Sequence, residues 1–197
     1  AGGEGPSFWP WVMSGPNAVF PRPFASLADY HHLNRNMQAG ELVRVDIGCD
    51  YDFYKGDVGR TAPVSGKFDA AQREVWNLLI RAYRAGLAVM REGTTHEMVA
   101  QAGREAAKQA QMQMSTPLGK KAVALLLAPD NAAIWHVHGS GLEPGEGRPQ
   151  IFKAGMVIEF EPMFAVEGQA FYLEDMLLIT QTGVEVLTTG LPYTAEE

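Results

Sequence analysis

The sequence predicts an α+β domain with an internal pseudo-two-fold repeat, and three observations carry that expectation. Strand-like segments of period two come first, helix-period segments follow, and strands then return to the end. Two distant stretches, Gly40-Glu-Leu-Val-Arg-Val-Asp46 and Gly155-Met-Val-Ile-Glu-Phe-Glu161, read as copies of one device. In each, a glycine opens an apolar-alternating strand and a carboxylate sits six residues on. Each copy gains a second carboxylate at short range, Asp57 after eleven residues and Glu174 after thirteen.

Taken in order, residues 8–14 are a short aromatic strand and Gly15-Pro16-Asn17 is a turn by composition. Residues 18–35, with Pro21 and Pro23, read as an irregular loop. Residues 42–48 form a strand, 49–56 a polar hairpin tip that holds Asp50 and Asp52 as turn residues, and 57–64 the returning strand. Residues 70–91 switch to helical period, with Val75, Leu78, Leu79, Ala82, Tyr83 and Leu87 on one face and Gly93 as the stop. Thr94-Thr95-His96-Glu97 reads as a capping box opening a second helix to about residue 114. Pro117 interrupts, and residues 120–128 make a short third helix. Strands follow at 134–138, 156–164, 170–173, 176–180 and 184–187. The first half lacks the helix pair of the second, so the repeat implies a chain that starts partway through its first copy. The expected organisation is one catalytic domain over residues 1–197, N-terminally incomplete, with 189–197 as a tail.

Composition excludes several functions. A net charge of −7 with no basic stripe argues against nucleic acid. No apolar run is long enough for a membrane helix, and the opening Ala-Gly-Gly-Glu-Gly does not read as a signal peptide. The lone Cys49 rules out an internal disulfide or thiolate zinc cage and fits a reducing, cytoplasmic compartment. It reads as a small buried filler, with no adjacent base to make it a nucleophile. The four tryptophans read as core or pocket wall.

Four carboxylates on or beside apolar strands are costly unless something cationic faces them. With His138 they make a set of Asp46, Asp57, His138, Glu161 and Glu174, a donor mix suited to divalent Mn, Fe, Co or Zn. Four negative charges match two divalent ions, which can be bridged by two carboxylates and activate a hydroxide for attack on carbonyl carbon.

These residues resemble a known family. Val45-Asp46-Ile47-Gly48, followed by Asp57 and Arg60-Thr61, is similar to the metal-binding hairpin of the pita-bread metallopeptidases: methionine aminopeptidases, Xaa-Pro aminopeptidases, prolidases and relatives such as creatinase. His138-Gly139, Gly141-Leu142-Glu143, Gly155-Met156-Val157, Glu161-Pro162 and Leu173-Glu174-Asp175 resemble its remaining ligand motifs, and Ser14-Gly15-Pro16-Asn17-Ala18 its first active-site loop. The resemblance implies a curved antiparallel sheet backed by helices, closest to the Xaa-Pro aminopeptidase branch. It implies two divalent metal ions, manganese foremost with Co, Fe or Zn compatible. Asp46 would hold one, His138 and Glu161 the other, with Asp57 and Glu174 bridging. Glu161 would also exchange a proton with the bridging water and departing amine.

Three departures bear on substrate. The family's usual histidine beyond Asn17 is replaced by Phe20-Pro21-Arg22-Pro23, with His31 and His32 following as candidate replacements. A histidine commonly seven residues after the ligand histidine is Gly145 here, and His136 is a candidate to stand in for it. Tyr172 occupies a position where Xaa-Pro aminopeptidases often carry arginine, and is a substrate-binding candidate with His136. The expectation is hydrolysis of a peptide bond at a peptide N-terminus. The alternatives are a small-molecule C–N hydrolase or lyase on the same metals, or a catalytically silent binding module. Homo-oligomerisation, or association with a missing N-terminal segment or subunit, is expected to cover the bare sheet face.

Overall fold

The computed structural model describes residues 2–19, 34–129 and 131–193. His31, His32 and residues 20–23, expected to border the site, lie outside the described residues.

Alternating apolar residues build a seven-stranded antiparallel sheet. Its strands are β2 (Trp11–Ser14), β3 (Leu42–Ile47), β6 (Val58–Pro63), β7 (Trp135–Gly139), β8 (Val157–Val166), β9 (Gln169–Ile179) and β10 (Val184–Val186). Their spatial order is β2-β3-β6-β9-β8-β7, with β10 also on β9. The two repeated devices are therefore two hairpins, β3–β6 and β8–β9, placed back to back. They join through Gly59↔Glu174 and Arg60↔Leu173. A small second sheet pairs β1 (Gly5–Pro6), β4 (Cys49–Tyr51) and β5 (Tyr54–Lys55) in the order β1-β4-β5, across what the sequence presents as a bare hairpin tip. At that tip Asp52 takes a positive φ of 48°, a turn role, whereas Asp50, expected as a turn residue, lies within β4 and pairs its carboxylate with Lys55 at 2.7 Å.

Helix α1 (Ala70–Val89) starts at a capping box that the sequence reading missed: Asp69 accepts from the Gln72 amide while the Gln72 side chain accepts from the Asp69 amide. Its Val75, Trp76, Leu79, Ala82 and Tyr83 are fully buried. Helix α2 (His96–Ala110) opens on Thr95, whose hydroxyl accepts from Met98 N at 3.4 Å. Helix α3 (Pro117–Leu127) corrects one expectation. Pro117 begins this helix at its first turn, where a missing N–H costs nothing, and Thr116 caps it. Glu74 of α1 reaches across to accept both the backbone amides and the hydroxyls of Ser115 and Thr116.

Strand β9 corrects another. The expected break between 173 and 176 does not occur, because Glu174 and Asp175 point to opposite faces of one continuous strand. Asp175 faces the helices and accepts from Tyr83 Oη (2.7 Å), Arg60 Nη2 (2.7 Å) and Thr188 Oγ1 (2.5 Å). The core fills the space between the helices and this face, from Trp76, Leu79 and Tyr83 to Phe160, Phe171 and Leu177. The helices' main sheet contacts fall on β7, β8 and β9, while Val12 and Ile47 on the other half are exposed.

Candidate metal centre

Side-chain alternation assembles the site on the sheet face opposite the helices. Residues two apart on a strand share a face, and residues directly opposite across a ladder share it too. Asp46 pairs with Gly59, and Gly59 pairs with Glu174. The pairs Phe160↔Asp175 and Met163↔Tyr172 set Glu161 opposite Glu174. His136 pairs with Glu161, and His138 with Glu159. Asp57, two residues before Gly59, falls on the same face. One surface thus carries Arg44, Asp46, Asp57, Tyr172, Glu174, Glu159, Glu161, His136 and His138.

Within that surface two sets of side chains lie within mutual ligand reach, His136, His138 and Glu161 in one and Asp57, His138 and Glu174 in the other. His138 Nε2 is 3.4 Å from Glu161 Oε1 and 3.6 Å from Glu174 Oε1, while its Nδ1 lies 3.0 Å from Gly139 O. His136 Nδ1 sits directly against Glu161 Oε1. Asp46 is fully buried on the same face but belongs to neither close set, and Arg44 Nη2 lies 3.6 Å from its Oδ2.

The electrostatics are those of crowded acids taken out of water. Burial raises the Asp57 pKa, and the charges of Glu174, Asp46 and Glu159 raise it further. Burial and then Glu161 raise Glu174. Burial by itself would lower His138, but the acceptors Glu161 and Glu174 outweigh it and push it up to about 11. A cation is what such a face is built to meet. Asp57 Oδ1 and Glu174 Oε1 are buried without hydrogen-bond partners, and the donors are carboxylate and imidazole, so the residues fit divalent ions.

The site opens into a cavity of about 730 Å³ walled by Phe8, Trp11 and Met163, with Pro144, Gly145 and Arg148 along one rim. His136 is half-buried in its wall. Tyr172 lies fully buried beneath: its ring covers Gly59, its hydroxyl donates to Glu174 Oε2, and the Arg44 guanidinium stacks 3.9 Å above the ring centroid. Thr61 Oγ1 accepts the Tyr172 amide at 2.9 Å, which explains why a threonine follows Arg60.

Residues 1–181 match the model of metallopeptidase family M24. The chain belongs to that family. It is similar to the Xaa-Pro aminopeptidase of Escherichia coli K12, at 29% identity over 216 residues that cover 100% of this chain and 47% of that protein. Among solved structures, a variant of Escherichia coli aminopeptidase P superposes with a TM-score of 0.73 at 28% identity, covering 99% of this chain and 47% of that one. Prolidase from Pyrococcus furiosus superposes at 0.70 with 26% identity, covering 95% of this chain and 50% of its own. The chain thus spans about half the length of the curated relatives it matches. Family membership agrees with the fold expected from the paired hairpins, and the family's name agrees with a metal-binding role for the acidic face.

Arg44 and Glu159 escaped the sequence reading. Each stands two residues before an expected ligand in an apolar strand, so the period-two pattern already placed them on the site face. Cys49, expected as buried filler, is exposed on β4, the middle strand of the small second sheet. Trp76 and Trp135 are core and Trp11 is cavity wall, whereas Trp9 is exposed. No helix among the described residues is long and apolar enough to cross a membrane.

Proposed function

We propose that this chain carries the catalytic centre of a dinuclear metallo-aminopeptidase that hydrolyses the N-terminal bond of a peptide, in the manner of Xaa-Pro aminopeptidases. The observation that supports this most is the gathering of Asp57, His138, Glu161 and Glu174 at ligand reach beside an apolar-walled cavity. Asp46, in register with Glu174 through Gly59, supplies the fifth ligand. Two divalent ions there, manganese foremost, would lower the pKa of a water enough for attack on a carbonyl near neutral pH.

The chain's own residues do the rest. His138 and Glu161 would help to hold one ion and Asp46 the other, with Asp57 and Glu174 available to both. Glu161 accepts a proton and passes it to the departing amine, and His136 against its Oε1 orients it for that exchange. The Tyr172 hydroxyl fixes one oxygen of Glu174, leaving the other toward the ligand set. Phe8, Trp11 and Met163 exclude water and receive an apolar substrate side chain. His31 or His32 is the proposed second imidazole that holds substrate.

The test is turnover of N-terminally varied peptides with Mn, Co and Zn supplied separately. Release of the first residue from Xaa-Pro peptides, abolished by chelator, is expected. No turnover of any peptide, with metal bound, would favour the second reading, a small-molecule C–N hydrolase or lyase. That reading draws on Gly145, which offers no side chain to grip a peptide at its point on the cavity rim, between Pro144 and Arg148.

A further inference from the structure

Among the described residues, Glu159 is the acidic residue of the site face that the proposed reaction leaves unused. It is fully buried on β8, and neither of its carboxylate oxygens has a hydrogen-bond partner. The neighbouring hydroxyl of Ser140 favours its charged form but donates to Lys55 O at 3.2 Å. In the ladders Glu159 stands directly opposite His138 and opposite Met176, and it lies two residues from Glu161. Alternation therefore aims it at the same surface as Glu161 and Glu174. A carboxylate buried without donors is far costlier than the methyl or hydroxyl that could fill such a position, unless a cation meets it.

We propose that Glu159, which stands outside both close ligand sets of the metal-free chain but opposite His138, is a further metal-ligating carboxylate that moves in on the cation His138 would help to hold. The inference rests on the metal-centre reading above. Charge supports it. Asp46, Asp57, Glu159, Glu161 and Glu174 together carry −5, and Arg44, 3.6 Å from Asp46, returns one positive charge. The remaining −4 equals the charge of two divalent ions. An added oxygen donor also favours a hard cation of high coordination number, such as Mn(II), over four-coordinate Zn(II).

The test compares metal-free wild type with Glu159→Gln and Glu159→Thr, using Mn(II) and Zn(II) calorimetry and the visible spectrum of the Co(II)-loaded protein. Thermal melts identify which variants are folded, and threonine offers a second shape if glutamine does not fit. A folded variant should lose at least about tenfold in Mn(II) affinity and less for Zn(II). Its Co(II) bands should intensify as coordination number falls. Unchanged affinity and spectrum would overturn the proposal, and so would weaker binding with an unchanged spectrum, which would exclude direct ligation. A wild-type chain that takes up no divalent ion would instead overturn the metal-centre reading and this inference with it.

Discussion

At the residue scale, His138 sits where its charge substitutes for a metal ion. With its pKa pushed up to about 11 it carries a proton at neutral pH, and the protons retained by Asp57 and Glu174 relieve the rest of the repulsion. A divalent ion must displace those protons. Metal binding should therefore release protons and strengthen as pH rises from 6 toward 9, because fewer remain to be displaced (about one order of magnitude per pH unit for each proton released). Calorimetry in buffers of different ionisation enthalpy measures this, and a binding heat independent of buffer would contradict it. Asp57→Asn should remove metal binding and cost at least about a hundredfold in turnover. The same change should stabilise the metal-free protein at neutral pH, since Asp57 holds in the fold a proton that it loses on unfolding, and a thermal melt reads that sign. The sequence singles out five of the nine side chains on this face, and two of them, Asp46 and Glu161, hold matched strand positions. Alternation alone could not say that Arg44 would stack on Tyr172, or that Tyr172 would point its hydroxyl at Glu174. Those contacts depend on how closely β3, β6 and β9 approach.

At the element scale, Gly59 is what lets Tyr172 lie flat across β6. A Cβ at that position would stand 1.9 Å from Tyr172 Cε1. Gly59→Ala should therefore displace the ring, release Glu174 from its hydroxyl, and destabilise the fold by about 3 kcal/mol, read by denaturant unfolding. Glu74 gives a prediction of opposite location. Burial would raise it, but Thr116 and Ser115 outweigh that and hold its pKa down at about 2. Its contribution is present above the unfolded value of 4.5 and is lost as pH falls from there toward 2. Glu74→Gln should flatten the acid limb of the stability profile between those values and leave neutral metal binding unchanged. Helix existence was legible from the apolar period, while helix starts were not. Pro117 read as a breaker because the preceding cap, Thr116, draws its support from Glu74, 42 residues away in sequence. The unbroken β9 was likewise hidden, since two adjacent acids look like a loop until Arg60 and Tyr83 are seen to receive Asp175.

At the scale of the whole molecule, the mirrored strand order follows from the repeat that the two Gly-plus-six carboxylates announced. Joining the hairpins edge to edge brings both carboxylate pairs to one face, so the fold and the acidic site have a single cause. Helices cover the β7–β9 half, which concentrates the core there and leaves the opposite face free for the cavity. The measurement that bears most directly on the metal centre is stepwise addition of Mn(II) to the metal-free chain, with cleavage of a Xaa-Pro peptide followed after each addition. Turnover should climb to a plateau at two ions per chain and vanish in Asp57→Asn. A plateau at one ion, or cleavage that persists in chelator, would contradict a dinuclear site built on these residues.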